Sequence, residues 1–177
     1  MSRPMITPGV EVSGAVVLAV VNMMGAFRSL ALDVLEKNQI SEPRPNRWYN
    51  LKDWLASFDS ILADVGPNTL SQIGRQLAGT APIPHHIDNL QDAFAALDGA
   101  YHSQHRGGEI GHYLYISTGK RSGTMISTTV YPPEFDQGLL TALAMRFEPD
   151  GLIDIRPDPD SESRRSGGDS CTFLISW

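Results

Sequence analysis

Apolar positions follow two regimes along the chain. Up to Tyr101 they recur at steps of three and four residues, the period of helices; from Tyr113 onward they alternate, the period of strands. The first regime predicts a helix from about Val12 to Lys37, started by Glu11 or Ser13, with Asn38 as a left-handed cap. Its stripe is Val17, Val20, Val21, Met24, Phe27, Leu30, Val34 and Leu35, and its first half is apolar almost all round. Residues 1–9 form an arm, and Ser41 to Arg47, with Pro43 and Pro45, a loop. Asn50 then caps an amphipathic helix carrying Leu51, Trp54, Leu55, Phe58, Ile61, Leu62 and Val65, stopped by Gly66-Pro67. A shorter helix from Thr69 to Gly79 presents Leu70, Ile73 and Leu77. After a proline loop over residues 80–86, Asp88 or Asn89 opens a helix with Leu90, Phe94, Leu97 and Tyr101 on one face, ended by Gly107-Gly108.

In the second regime Tyr113, Tyr115 and Ser117 alternate with Leu114 and Ile116. The turn Gly119-Lys120-Arg121-Ser122-Gly123 predicts a hairpin, with Met125 to Tyr131 as the return strand up to Pro132-Pro133. A helix follows with Leu139, Leu140, Leu143, Ala144 and Phe147 on one face, and then a strand with Leu152, Ile153 and Ile155. Residues 157–170, with Asp158, Asp160, Glu162, Arg164 and Arg165, read as a solvated hairpin loop. Cys171 to Trp177 is a closing strand whose Phe, Leu, Ile and Trp need a buried face. The pattern predicts an α+β fold in one domain spanning 1–177: a helical half (12–110) packed on a four-stranded antiparallel sheet, with a hairpin–helix–hairpin half (111–177).

Composition narrows the function. A net charge of −6 excludes nucleic acid as a main partner, because phosphate binding needs a basic surface. A single cysteine excludes an internal disulfide framework and fits a cytoplasmic protein. The run Ala15 to Val21 is too short to span a bilayer, which needs about 20 apolar residues, so no membrane insertion is expected. The apolar helix 12–37 is a core element or a homodimer contact, with Met23, Met24 and Phe27 as an adaptable wall. No nucleophile elbow, phosphate-binding loop, HExxH or paired-carboxylate motif is present, so no catalytic residue is assigned.

Three segments carry a resemblance. Ala96-Leu97-Asp98-Gly99-Ala100-Tyr101-His102 resembles a helix ending in Leu-Asp-x-Leu-His. Gly138-Leu139-Leu140 through Ala144-Met145-Arg146-Phe147 resembles Gly-Ile-Leu…Val-Ala-x-x-Phe. Gly168-Asp169-Ser170-Cys171-Thr172-Phe173-Leu174-Ile175 is similar to Gly-Asp-x-x-Cys-x-Phe-x-Ile. In this order they resemble the superfamily of heme nitric oxide/oxygen binding (H-NOX) domains, 4-vinyl-reductase-type sensor domains and TRAPP subunits. The resemblance implies a stand-alone, non-catalytic module that binds a small molecule and passes its state to a signalling partner. Alternatives are a heme-based NO/O2 sensor, a ligand-free dimeric assembly subunit or, ranked lowest, a vinyl reductase.

The departures bear on the contents of the site. Where H-NOX domains have the histidine that ligates heme iron, this chain has Tyr101, with His102 one residue on. Tyr115-Ile116-Ser117-Thr118-Gly119 keeps the Tyr and Ser of the propionate motif Tyr-x-Ser-x-Arg but has glycine for arginine. Cys171 matches one zinc-binding cysteine of the phenol-sensing type, and no second cysteine exists, so no metal site is assigned there. The expected pocket is lined by Phe94, Leu97, Tyr101, Tyr113, Tyr115 and Leu140, residues that read equally as core aromatics and aliphatics. His102 and His105 are possible heme ligands; their other reading, favoured by the residues alone, is as cations satisfying the last carbonyls of their helix. His85-His86 read as a solvated loop, His112 as facing pocket or water, Cys171 as buried and inert, and Asp169 as a turn residue.

Overall fold

The structure, a computed structural model, describes residues 8–25 and 28–177; the expected arm lies largely outside these, as does Phe27. The side chains of Leu62 and Val65 also lie outside the described ones. The element order is β1 (Glu11–Ser13), α1 (Gly14–Met23), α2 (Arg28–Lys37), β2 (Trp48–Asn50), α3 (Leu51–Val65), α4 (Pro67–Thr80), α5 (Leu90–Ser103), β3 (His105–Arg106), β4 (Tyr113–Gly119), β5 (Ser122–Ser127), α6 (Pro133–Phe147), β6 (Asp154–Pro157) and β7 (Cys171–Ser176). The fold is α+β as expected. β4, β5, β7 and β6, in that order, form an antiparallel four-stranded sheet against which the helices pack.

The single helix expected over 12–37 is two helices preceded by a strand. Gly25 takes φ +50° between them, a left-handed conformation that a helix interior does not tolerate. The break lets α1 lean on α4 while α2 leans on α3. Val17, Val20 and Val21 are consequently buried in the chain's own core. Val16, Leu18, Ala19, Met23 and Met24 remain partly exposed on the other side of this region. The left-handed residue after α2 is Gln39 (φ +67°) rather than Asn38, whose side-chain amide instead donates to the Val34 carbonyl at 2.8 Å.

α3 follows its pattern closely. The Asn50 side chain accepts from the Lys52 N–H at 2.9 Å, and Leu51, Trp54, Leu55 and Phe58 are fully buried. Burial of each such side chain contributes on the order of 1.5–3 kcal/mol. Asn89 caps α5 by accepting from the Asp92 N–H at 2.9 Å. Pro67 and Pro133 open α4 and α6, where a missing N–H costs nothing.

α4 and α6 touch backbone to backbone. A Cβ on Gly74 would lie 2.2 Å from the Phe135 carbonyl oxygen, and one on Gly138 2.0 Å from that of Ser71, so only glycine permits this approach.

A second sheet, β2-β1-β3, was not foreseen. Its strands are two or three residues long, too short to show alternation. It ties the N-terminal segment to the end of α5: Ser13 N–H donates to the Gln104 carbonyl, Arg106 pairs with Glu11 at 2.6 Å, and Arg106 also lies over the Trp48 ring. In the larger sheet, Tyr113 and Tyr115 face the helices while Leu114 and Ile116 are exposed. The return strand ends at Ser127 rather than Tyr131, and the next begins at Asp154, leaving Leu152 exposed. Among the described residues no helix is long and apolar enough to cross a membrane.

Candidate functional site

The end of α5 is where the sequence concentrates its candidate ligands, and it lies directly on β4. Helical spacing brings Phe94, Leu97 and Tyr101 toward the sheet, and strand alternation brings Tyr113 and Tyr115 up to meet them. Phe94 and Tyr115 rings lie 5.3 Å apart, and Trp177 closes on Phe94 from the last strand at 6.4 Å. Tyr101 meets Tyr113 edge-on at 5.3 Å. Leu140 is fully buried on α6, and Leu97 is partly buried against the same core. The six expected lining residues thus serve as packing surfaces in one core, four of them in direct ring contact.

Each polar group here has a defined place. Tyr101 donates its hydroxyl to the Ile110 carbonyl at 2.6 Å, and burial, followed by the neighbouring Tyr131 and Asp136, pushes its pKa far above the ordinary phenol value. His105 holds Nδ1 2.8 Å from the Tyr101 carbonyl and Nε2 2.9 Å from the Tyr131 hydroxyl. Burial lowers its pKa and favours the neutral ring. Trp54 donates to the same Tyr131 hydroxyl at 3.1 Å, so α3, the end of α5 and the segment before α6 meet at one phenol. Tyr115 has an enclosed hydroxyl without a hydrogen bond of ordinary geometry; burial raises its pKa, and the nearby Ser117 side chain opposes this.

Below this lies a group the sequence reading missed. Asp136, on the first turn of α6, is fully buried and pairs with Arg164 at 2.5 Å. Arg164 belongs to the stretch expected to be a solvated loop, yet it is 4% exposed and anchors a single 3-10 turn, Arg164–Ser166. Asp136 also accepts from the hydroxyls of Tyr113, Ser127 and Thr129, and Arg164 donates to the Thr129 carbonyl and to the Ser127 and Thr129 hydroxyls. Desolvation holds the Asp136 carboxyl above the ordinary carboxylate range, with Arg164 opposing it. One signal pointed to this aspartate: it stands one turn ahead of Leu139 and Leu140 on the buried stripe of α6. Cys171 is buried beside the pair and accepts the Arg164 N–H at 3.3 Å.

The remaining candidates lie at the surface. His102 is partly exposed, with Nδ1 2.9 Å from the Asp98 carbonyl, and its ring stacks on that of His112 at 4.8 Å. His105 reaches the Tyr101 carbonyl in the last turn of α5, whereas the Asp98 carbonyl that His102 meets lies about a turn earlier. His85 and His86 are exposed in their loop. A shallow groove of about 290 Å³ lies beside His112, lined also by Glu109, Ile110, Gly111, Thr128, Val130 and Asp169. It lies outside the expected pocket.

No protein-family model and no curated protein matches the sequence. Solved structures do. An H-NOX protein from S. oneidensis in the Fe(II)NO ligation state aligns with TM-score 0.67 at 12% identity, covering 93% of this chain and 98% of that one. A variant H-NOX protein from K. algicida, Fe(II) and unliganded, aligns with TM-score 0.65 at 15% identity, covering 93% and 95%. A double variant of Tt H-NOX aligns with TM-score 0.66 at 12% identity, covering 93% and 94%. The chain has the H-NOX fold. Its own residues do not fit a heme at the α5–sheet junction: Tyr101 and both ring nitrogens of His105 are bonded inward, and His102 stacks at the surface.

Proposed function

We propose that this chain is a non-catalytic sensory module of H-NOX fold that passes the state of the α5–sheet junction to a partner protein. The observation that carries the reading is the buried chain of hydrogen bonds around Tyr131, which joins α3 to the end of α5. Tyr101 and Tyr113 extend this contact to Asp136 on α6 through ring packing and a phenol–carboxylate bond. A ligand that parts α5 from β4 must break these contacts together, and a concerted rearrangement is what a partner can read. Tyr115, with its enclosed hydroxyl, is the polar group available to orient such a ligand. The experiment is native mass spectrometry of the purified protein: a retained small molecule, released by Tyr115→Phe, supports the reading, and a bare chain mass unchanged by any small molecule added removes it.

A heme-based NO/O2 sensor is the second reading. It is favoured by the fold neighbours, whose solved forms include Fe(II) and Fe(II)NO states. It requires Tyr101, His102 or His105 to leave its present hydrogen-bond partner for iron. A hemin titration separates the two readings, because only this one yields a saturable Soret band dependent on those side chains.

A further inference from the structure

Beside the candidate site, three residues from two segments bring metal-binding atoms together: Asp98 and His102 from α5, and His112 from just before β4. One donor atom from each lies within 4.8 Å of the others. Asp98 Oδ2 is 3.3 Å from His112 Nδ1, and the His102 ring stacks on that of His112 with centroids 4.8 Å apart. Glu109 Oε1 approaches the other nitrogen of that ring, 3.5 Å from His112 Nε2.

The surroundings order this cluster as a ligand set is ordered. Asp98 Oδ1 accepts the Tyr113 backbone N–H at 2.9 Å, which fixes the carboxylate between helix and strand. His102 Nδ1 lies 2.9 Å from the Asp98 carbonyl oxygen, an acceptor only, so this nitrogen carries the proton and Nε2 keeps its lone pair. A ring N–H held by a carbonyl is the usual support of a metal-ligating histidine.

We infer that Asp98, His102 and His112 bind one divalent transition-metal ion of the zinc class. Two imidazoles select against magnesium and calcium, which take oxygen ligands. Ligand bonds of about 2.0–2.1 Å set donor atoms roughly 3.3 Å apart around a tetrahedral ion. The 3.3 Å between Asp98 Oδ2 and His112 Nδ1 already matches that value. The ion would pin the C-terminal end of α5 to the loop entering β4, on the rim of the 290 Å³ groove. This inference is independent of the sensory reading.

The test uses the full, untagged chain stripped with chelator and titrated with Co2+ and Zn2+. One Co2+ per chain is expected, displaced by Zn2+, with affinity at least tenfold weaker in His102→Ala and in His112→Ala and unchanged in a His85→Ala/His86→Ala double variant. In the unsubstituted protein, the ring resonances of His102 and His112 should shift on adding Zn2+ while those of His85 and His86 stay in place. No bound metal after equilibrium dialysis overturns the inference. So does binding that survives both single variants, or that disappears with His85 and His86.

Discussion

Replacing Arg164 by methionine separates the buried pair from a solvated loop more sharply than any other single change. Methionine keeps the apolar stem and removes the guanidinium from a site where Asp136 is fully buried. The carboxylate keeps its three hydroxyl donors but loses the buried cation paired with it, and the Thr129 carbonyl loses a donor. Breaking one side of a buried ion pair costs about 3–5 kcal/mol. Arg164 Nε makes no hydrogen bond, and relief of that desolvation places the expected loss near the lower end, about 3 kcal/mol. Urea unfolding followed by circular dichroism measures it. Asp136→Asn should destabilise the natural chain by stranding Arg164, but should stabilise the Arg164→Met chain by removing the stranded charge.

The pH dependence has a defined sign. Burial already raises the Asp136 pKa, and without Arg164 it rises further. A carboxyl raised in the folded state contributes stability below its unfolded pKa of about 3.9 and loses it as pH rises through the folded value. The deficit of Arg164→Met relative to the natural chain should therefore be smallest near pH 4 and grow toward neutrality. A deficit below about 1 kcal/mol, or one flat with pH, would refute the buried pair and restore the solvated loop.

Three further outcomes follow from other parts of the fold. Gly138→Ala forces a methyl group onto the Ser71 carbonyl at the α4–α6 crossing, and thermal unfolding should show a loss of about 1–3 kcal/mol or more. For His105, whose pKa burial lowers, stability is complete above the unfolded value of about 6.5 and falls as pH drops through the folded value; the stability gap between the natural chain and His105→Gln should thus be narrower at acid pH, and a gap independent of pH contradicts this. Tyr101→Phe strands the Ile110 carbonyl and should cost about 1–3 kcal/mol in urea unfolding with little change in fold.

How much could be read from the chain depended on the length of each signal. α3 was legible because seven apolar residues repeat through four turns with Asn50 ahead of them, and β7 because Phe173 and Ile175 alternate on a buried face. The break between α1 and α2 was hidden, since apolar residues run through both sides and the information resides in the backbone angle of Gly25. β1, β2 and β3 were hidden by shortness. Arg164 was hidden by its neighbours, a lone buried cation within a polar stretch whose partner lies 28 residues earlier. At the α5–sheet junction the residues were legible and their roles only partly so. Phe94, Tyr101, Tyr113 and Tyr115 do converge, but pairwise spacing could not tell that their rings would meet one another.

The departure of this chain from the heme-binding members of its fold is tested most directly by titrating hemin into the purified protein and following the Soret region. With Tyr101 and His105 bonded inward and His102 stacked on His112, the spectrum should remain that of unbound hemin, with no saturable band at one equivalent. A Soret band that saturates at one hemin per chain, and is lost on Tyr101→Phe, His102→Ala or His105→Ala, would contradict the account and make the heme sensor the correct reading.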